Sequence, residues 1–283
     1  MRWLLLLLIG LSSPLAVAAA PLKILFVGNS LLYYNDVPRA VAALLEAEGT
    51  HPDVEVEMLA EGGATLAEHL GRDALDRALA QFGPDLVVLQ DRGPYPLCAA
   101  ADADCARSPA AFADAIAKVR AAGARPLLFA TWLGFAQGQA ELSRRFAALA
   151  QEHDVPVADV GRARQLAQEL PLHSYLDATT LSTAPWWQAP LLPAMDLPPP
   201  DGHPDEAGGW VIAAALSRSV LGHALPADLR IGAFCRSLWA GARLSATRPA
   251  YRQMPKATQC RAPQPQVVSI AVLLANQAAQ QSD

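Results

Sequence analysis

The chain has 283 residues, 52% of them hydrophobic and 17% charged, with 22 Lys+Arg against 27 Asp+Glu for a formal charge of −5. So apolar a composition excludes an intrinsically disordered chain, and the acidic balance offers no basic footprint for nucleic acid. The length suits one large domain or two small ones.

In chain order, the first element stands apart from the fold. Arg2 gives a positive start, Trp3 to Leu11 is an apolar run, and small residues fill Ala16 to Ala20. This is the layout of a secretory signal peptide. Ser12, Ser13 and Pro14 interrupt the run well short of the ~20 residues needed to span a bilayer. Pro21 disfavours a cut after Ala20, so cleavage is expected after Ala18 or Ala19. Residues 1–19 would then be removed, leaving no stable membrane anchor and a periplasmic or secreted protein.

The mature chain alternates strand and helix signals. Leu22 to Val27 reads as a buried strand ending at Gly28-Asn29-Ser30, and a helix runs from Pro38 to Glu48 before Gly49. Val54 to Leu59 alternates as a half-exposed strand, Gly62-Gly63 opens a turn, and Thr65 to Gln81 is helical in pattern. Leu86 to Gln90 is the next strand, followed by an insertion between Cys98 and Cys105 and a helix from Ser108 and Pro109 to Ala122. Pro126 to Thr131, a helix from about Gln139 to Glu152, and Val155 to Val160 complete the series. Such alternation predicts an α/β fold with a parallel sheet covered on both faces by helices.

From Pro171 to Pro204 the pattern breaks, with eight prolines and the pair Trp186-Trp187. A loop this long inside a compact domain tends to be functional, or else disordered. A helix resumes from about Asp205 to Leu221; beyond it the sequence suggests a helix at Ala227 to Leu244 and an apolar segment from Val267 to Ala279. The expected organisation is a main domain over 20–224 and a C-terminal extension, 225–283, packed on it. In an oxidising compartment four cysteines suggest disulfides, and proximity favours Cys98 with Cys105 and Cys235 with Cys260. Without Cys-x-x-Cys or His-x-x-x-His spacing, no metal site is expected.

Open parallel sheets bind ligands outside the carboxyl ends of their strands. The residues there are Ser30 after the first strand, Gly62-Gly63-Ala64-Thr65 after the second, and Gln90 at the end of the third, with Asp201-Gly202-His203-Pro204 far downstream ahead of a helix. A hydroxyl, backbone and amide N–H donors, and a histidine preceded by an acid are the parts of nucleophilic acyl transfer. Singly each has a structural explanation: an Asx-turn at Asn29, turn glycines, a satisfied amide, a helix cap at Asp201.

In this order the blocks resemble the SGNH (GDSL-type) hydrolases. The resemblance rests on Phe26-Val27-Gly28-Asn29-Ser30, Gly62-Gly63-Ala64-Thr65, Leu89-Gln90 and Asp201-Gly202-His203-Pro204, and covers roughly residues 22 to 222. The run Leu31-Leu32-Tyr33-Tyr34-Asn35-Asp36-Val37-Pro38 looks like the branch with Asn where the first block usually has Asp. The resemblance implies a flavodoxin-like three-layer α/β/α sandwich, with Ser30 as nucleophile and His203 as base. It implies oxyanion donors from the N–H of Ser30, the N–H of Gly63 and the Gln90 amide, and needs no cofactor. Two blocks depart from the family pattern. Gln90 stands where Asn is usual, and Asp201 lies two residues before His203 instead of three, with Pro200 at the usual acid position. Asp201 is taken as the orienting acid, with Asp196 as the substitute.

The expected activity is hydrolysis of short-chain acyl or carbohydrate O-acetyl esters, on a small-molecule or polysaccharide substrate contacted by Asn29, Trp132, Trp186 and Trp187. Without Gly-x-Ser-x-Gly an α/β-hydrolase elbow is disfavoured, and without Gly-x-Gly-x-x-Gly or a P-loop a nucleotide cofactor is too. Two rivals share the scaffold: a non-catalytic glycan binder using the three tryptophans as stacking platforms, and an acyltransferase passing the acyl group to a sugar hydroxyl.

Overall fold

A computed structural model of the chain describes residues 20–97, 102–133, 136–169, 204, 206–232, 234–236, 251–252, 259–263 and 265–280. Its centre is β1 (Leu22–Gly28), which pairs in parallel with β2 (Val54–Ala60) on one side and β3 (Leu86–Leu89) on the other. β4 (Arg125–Ala130) and β5 (Val157–Asp159) continue the parallel sheet beyond β3. The order β5-β4-β3-β1-β2 is that of the flavodoxin-like doubly wound fold. The strand end that matters most is therefore central, flanked by the ends of β2 and β3.

Both faces of the sheet are covered, so the strands carry nearly continuous apolar runs. Alternation still sorts them: Ile24 and Phe26 enter one core, Leu25 and Val27 the other. The first face is packed by α2 (Val37–Glu48), α8 (Val160–Glu169), α9 (Glu206–Leu221) and α10 (Pro265–Gln280). The second is packed by α3 (Leu66–Gly71), α4 (Ala74–Phe82), α6 (Ser108–Ala121) and α7 (Ala136–His153). Phe26 is completely buried, and truncating such a ring to alanine costs about 3–5 kcal/mol. The parallel sheet covered on both faces that the alternation predicts, and the three-layer α/β/α sandwich that the resemblance implies, are the observed architecture.

Local chemistry sets the helix starts. Pro38 occupies the first turn of α2, and Thr65 with Glu68 forms a reciprocal capping box at α3. Between β1 and α2 the chain makes a short helix, α1 (Ser30–Tyr33), and a 3-10 turn over Tyr34–Asp36. The insertion after β3 contains α5 (Ala103–Ala106), capped by Asp102.

Several expectations need correction. The continuous helix over Thr65–Gln81 is two, α3 and α4, broken at Arg72 and Asp73, where Asp73 adopts φ 51°. Apolar periodicity is blind to such a break, and here Arg72 turns away to pair with Glu61 at 2.6 Å. β5 ends at Asp159, and Val160, read as strand, opens α8, a helix the sequence reading lacked. The helix proposed for Ala227–Leu244 is not found where the chain is described. Residues 227–232 are non-helical, and β6 (Phe234–Arg236) pairs antiparallel with β8 (Gln259–Arg261). Cys235 faces Cys260 across that pair and is bonded to it, as proximity predicted, so a covalent tie overrides helical propensity. Cys105 is also disulfide-bonded; its expected partner Cys98 lies outside the described residues. The last apolar segment is α10, packed on α9 and α8, and β7 (Tyr251–Arg252) adds an antiparallel edge to β2.

Candidate active site

Asn29 joins three strand ends. Its Oδ1 accepts from Leu31 N at 3.2 Å and caps α1, while its Nδ2 donates to Ala64 O at 3.0 Å in the turn after β2. Its own N–H donates to Gln90 Oε1 at 2.9 Å, at the end of β3. With 2% of its surface exposed, Asn29 is committed to the scaffold, not presented to a substrate as expected.

Gln90 is completely buried beneath this turn. Its Oε1 holds the Asn29 N–H, and its Nε2 donates to the Asp91 carbonyl. A Cβ on Gly28 would lie 2.1 Å from Gln90 Oε1, so glycine at 28 is what lets the amide pass under the chain. The expected role as a ready oxyanion donor differs from this geometry, in which the amide braces the turn.

Ser30 opens α1. Sequence reasoning placed its hydroxyl in the open; the residue is 8% exposed, and the hydroxyl hydrogen-bonds the phenol of Tyr33 one turn on. Burial pushes the Tyr33 phenol above its ordinary range, with the Ser30 bond opposing, so the ring stays neutral well into alkaline solution. A Cβ on Gly62 would lie 3.2 Å from the Tyr33 oxygen. The bare backbone of Gly62 thus lies against the Tyr33 phenol. Gly63 is exposed at φ +70°, a conformation glycine adopts without strain, and its N–H makes no hydrogen bond among the described residues.

Beneath the turn over Gly28, Asn29 and Ser30 lies a polar layer with no counterpart in the sequence reading. His69 Nε2 is 2.7 Å from the Gly28 carbonyl, so that nitrogen carries the proton and donates. Burial holds the His69 pKa below its usual range, which favours the neutral ring. Glu61 N donates to the same carbonyl at 3.4 Å, and its buried carboxylate meets Arg72 at 2.6 Å. Asp91, 1% exposed, accepts from Leu66 N at 3.0 Å, Arg92 N at 2.7 Å and Ser108 Oγ at 2.6 Å. These groups fix the loops after β1, β2 and β3 against one another.

His203, Asp201, Asp196, Trp186 and Trp187 lie outside the described residues. Pro204, next to His203 in the chain, is described and buried, and its carbonyl accepts from Asn35 Nδ2 at 2.8 Å. Asn35 holds φ 63°, and a Cβ on Gly209 would lie 2.7 Å from the Asn35 Cβ, so α9 packs directly on the segment that follows Ser30. Trp132, after β4, is half-buried, with the Arg164 guanidinium 4.3 Å over its ring; one ring face is therefore occupied.

Tyr33 and Asn35 enter the sequence reading only as part of the run after Ser30, with no role of their own, and His69 is not singled out there at all. The Ser-x-x-Tyr spacing was a usable signal, since residues three apart share a helix face. His69 sits three residues after buried Leu66 on the inner face of α3, where a histidine resembles any other core position in sequence.

No protein-family model matches the sequence, and no curated protein sequence does either. Among solved structures, a protein classed as an SGNH hydrolase from Slackia heliotrinireducens is similar over 71% of this chain and 100% of its own, with 25% identity and a TM-score of 0.50. An acetyl xylan esterase, AlAXEase, is similar over 70% of this chain and 100% of its own, at 16% identity and a TM-score of 0.48. TesA is similar over 70% of this chain and 99% of its own, at 20% identity and a TM-score of 0.45.

Proposed function

This chain belongs to the SGNH (GDSL-type) hydrolases, and from that premise we propose that it is an exported serine esterase acting on short-chain acyl or carbohydrate O-acetyl esters. Ser30 is the nucleophile and His203 the base. His203 takes the Ser30 proton as Oγ attacks the ester carbonyl, then returns it to the departing alcohol. Water, deprotonated by the same histidine, releases the carboxylic acid and restores Ser30. Asp201 orients the imidazole.

The observation that carries this reading is the Asn35–Pro204 hydrogen bond. It ties the chain beside His203 to a residue five positions after Ser30. The N–H groups of Ser30 and Gly63 are the oxyanion donors; Gln90 joins them only if its amide leaves the Asp91 carbonyl. The burial of Ser30 favours small acyl groups over long ones.

Labelling with a serine-directed phosphonate, together with hydrolysis of an ester series from acetyl upward and of acetylated polysaccharide, tests the assignment. Wild type is expected to label and turn over acetyl esters, while Ser30→Ala does neither. Equal hydrolysis by wild type and Ser30→Ala would sink it.

A further inference from the structure

A cavity of about 620 Å³ lies at the opposite side of the sheet from β2, along β5. Neither Ser30, Gly63 nor Gln90 lines it. β5 is three strand spacings from β1, about 14 Å at the usual separation, so this is a different place from the crevice above Ser30. The volume is within the usual range of small-molecule sites, roughly 300–1,000 Å³.

The space arises because the two helical layers meet β5 with small side chains. α7 contributes Ala140 and Ala147, α9 contributes Ala215, and α10 contributes Ala275, Ala278 and Ala279. Apolar walls alone would make a dry void. Here Arg218 of α9 also enters the lining, with its Nε buried and without a hydrogen-bond partner. Its guanidinium forms no ion pair among the described residues. A guanidinium has five N–H donors and no acceptor, and leaving such a donor buried and unmatched is costly. Arg162 and Arg144 line the same space, Arg144 pairing with Glu141 at 2.6 Å. Asp159 is the one acid in the described lining, and its carboxylate is already occupied: Oδ1 accepts from Arg162 N at 2.9 Å, and the Ser143 hydroxyl also donates to it.

We propose that this cavity is a binding site for a small carboxylate with a compact apolar body, its anionic end on Arg218 and its hydrocarbon against the alanine walls. A planar carboxylate matches the guanidinium fork in a bidentate pair, while the alanines supply nothing to a fully hydrated ion such as phosphate. The site stands independently of the chemistry at Ser30.

The test uses the full chain titrated calorimetrically with butyrate, hexanoate and octanoate, with hexanamide and inorganic phosphate as controls. Saturable binding of hexanoate is expected, with hexanamide and phosphate each at least tenfold weaker. Arg218→Gln should weaken hexanoate by about tenfold or more, as loss of a charge-assisted pair does. Ala279→Leu, which projects a larger apolar side chain into the space and keeps the arginine, should weaken hexanoate at least tenfold with an undiminished urea midpoint; it carries the test should Arg218→Gln fail to fold. The proposal is overturned if no carboxylate binds, if hexanamide or phosphate binds as tightly as hexanoate, or if both variants bind like wild type. It is overturned equally if phosphonate modification of Ser30 abolishes binding and the two variants do not, which would place the ligand in the catalytic crevice.

Discussion

The Asn35 side chain donates to the carbonyl of Pro204 at 2.8 Å, joining positions 169 residues apart. Asn35 does so from φ 63°, in contact distance of the bare Gly209 backbone. Two effects of replacing it can be separated. Asn35→Ala loses the hydrogen bond and also places a Cβ residue ill-suited to the left-handed region, for a combined destabilisation of about 2–3 kcal/mol. Asn35→Gly loses the same bond but relieves the backbone. If the bond serves to place His203, both variants should lose about 10²-fold in kcat/KM on an acetyl ester, even though Asn35→Gly has the higher urea midpoint. Activity that tracks the midpoint would reduce Asn35 to a stabilising contact.

Gly28 and Gln90 form a second coupled pair, since a Cβ on Gly28 would meet Oε1 at 2.1 Å and also approach Cδ and Cβ at 2.9 and 3.0 Å. Neither backbone nor a fully buried amide can give way cheaply there, so Gly28→Ala should cost about 1–3 kcal/mol and break the Asn29 N–H bond. Gln90→Ala removes the obstacle. The double variant should therefore be more stable than the sum of the single effects, with a coupling of about 1 kcal/mol or more in a denaturant double-mutant cycle. Activity of Gln90→Ala separates two roles: a fall of ~10²–10³ in kcat would match a lost oxyanion donor, whereas a brace would show mainly in stability.

The legible parts of this molecule were those governed by short-range rules. β1 to β4 and the faces they bury follow from apolar runs bounded by Gly, Pro and Asp, and the helix starts at Pro38 and Ser108-Pro109 follow from first-turn chemistry. What could not be read was set by partners distant in sequence. The break between α3 and α4 accompanies the Arg72–Glu61 pair, β6 and β8 are tied by Cys235–Cys260, and Gln90 is turned inward by the Asn29 N–H. At the site, Ser30, Gly63 and Gln90 do lie at neighbouring strand ends, but the direction of each side chain did not follow from residue identity. Ser30 and Asn29, both expected at the surface of the crevice, are largely covered.

Ser30 is also held by a hydrogen bond to the Tyr33 phenol, which implies a measurable cost to activation. Ser30 is the hydrogen-bond partner of a tyrosine whose pKa burial has raised, so at neutral pH the pair is intact and uncharged. To pass its proton to His203, the serine must exchange this partner for the imidazole. Tyr33→Phe keeps the buried ring and deletes the competing oxygen. The variant should lose about 1 kcal/mol of stability and label with a phosphonate at least as fast as wild type. Labelling slowed tenfold or more would mean instead that the phenol assists the reaction, and would reverse the role assigned to it.

His69 gives a pH dependence whose sign follows from its surroundings. Its pKa is lowered chiefly by burial, while the bond to the Gly28 carbonyl opposes that shift. The unfolded chain, with histidine near 6.5, therefore binds a proton that the folded chain does not in the interval below that value. Stability from this group is fully present above about pH 6.5 and declines as pH falls toward the lower folded-state pKa. Since Nε2–H already donates to Gly28 O, protonation adds a charge at Nδ1 without a new bond to hold it. Urea midpoints measured from pH 8 down to pH 5 should be level above about 6.5 and fall below it. In His69→Gln, whose amide keeps a donor for the Gly28 carbonyl without a titrating ring, that part of the slope should vanish. An unchanged slope in His69→Gln would assign the acid sensitivity to other groups.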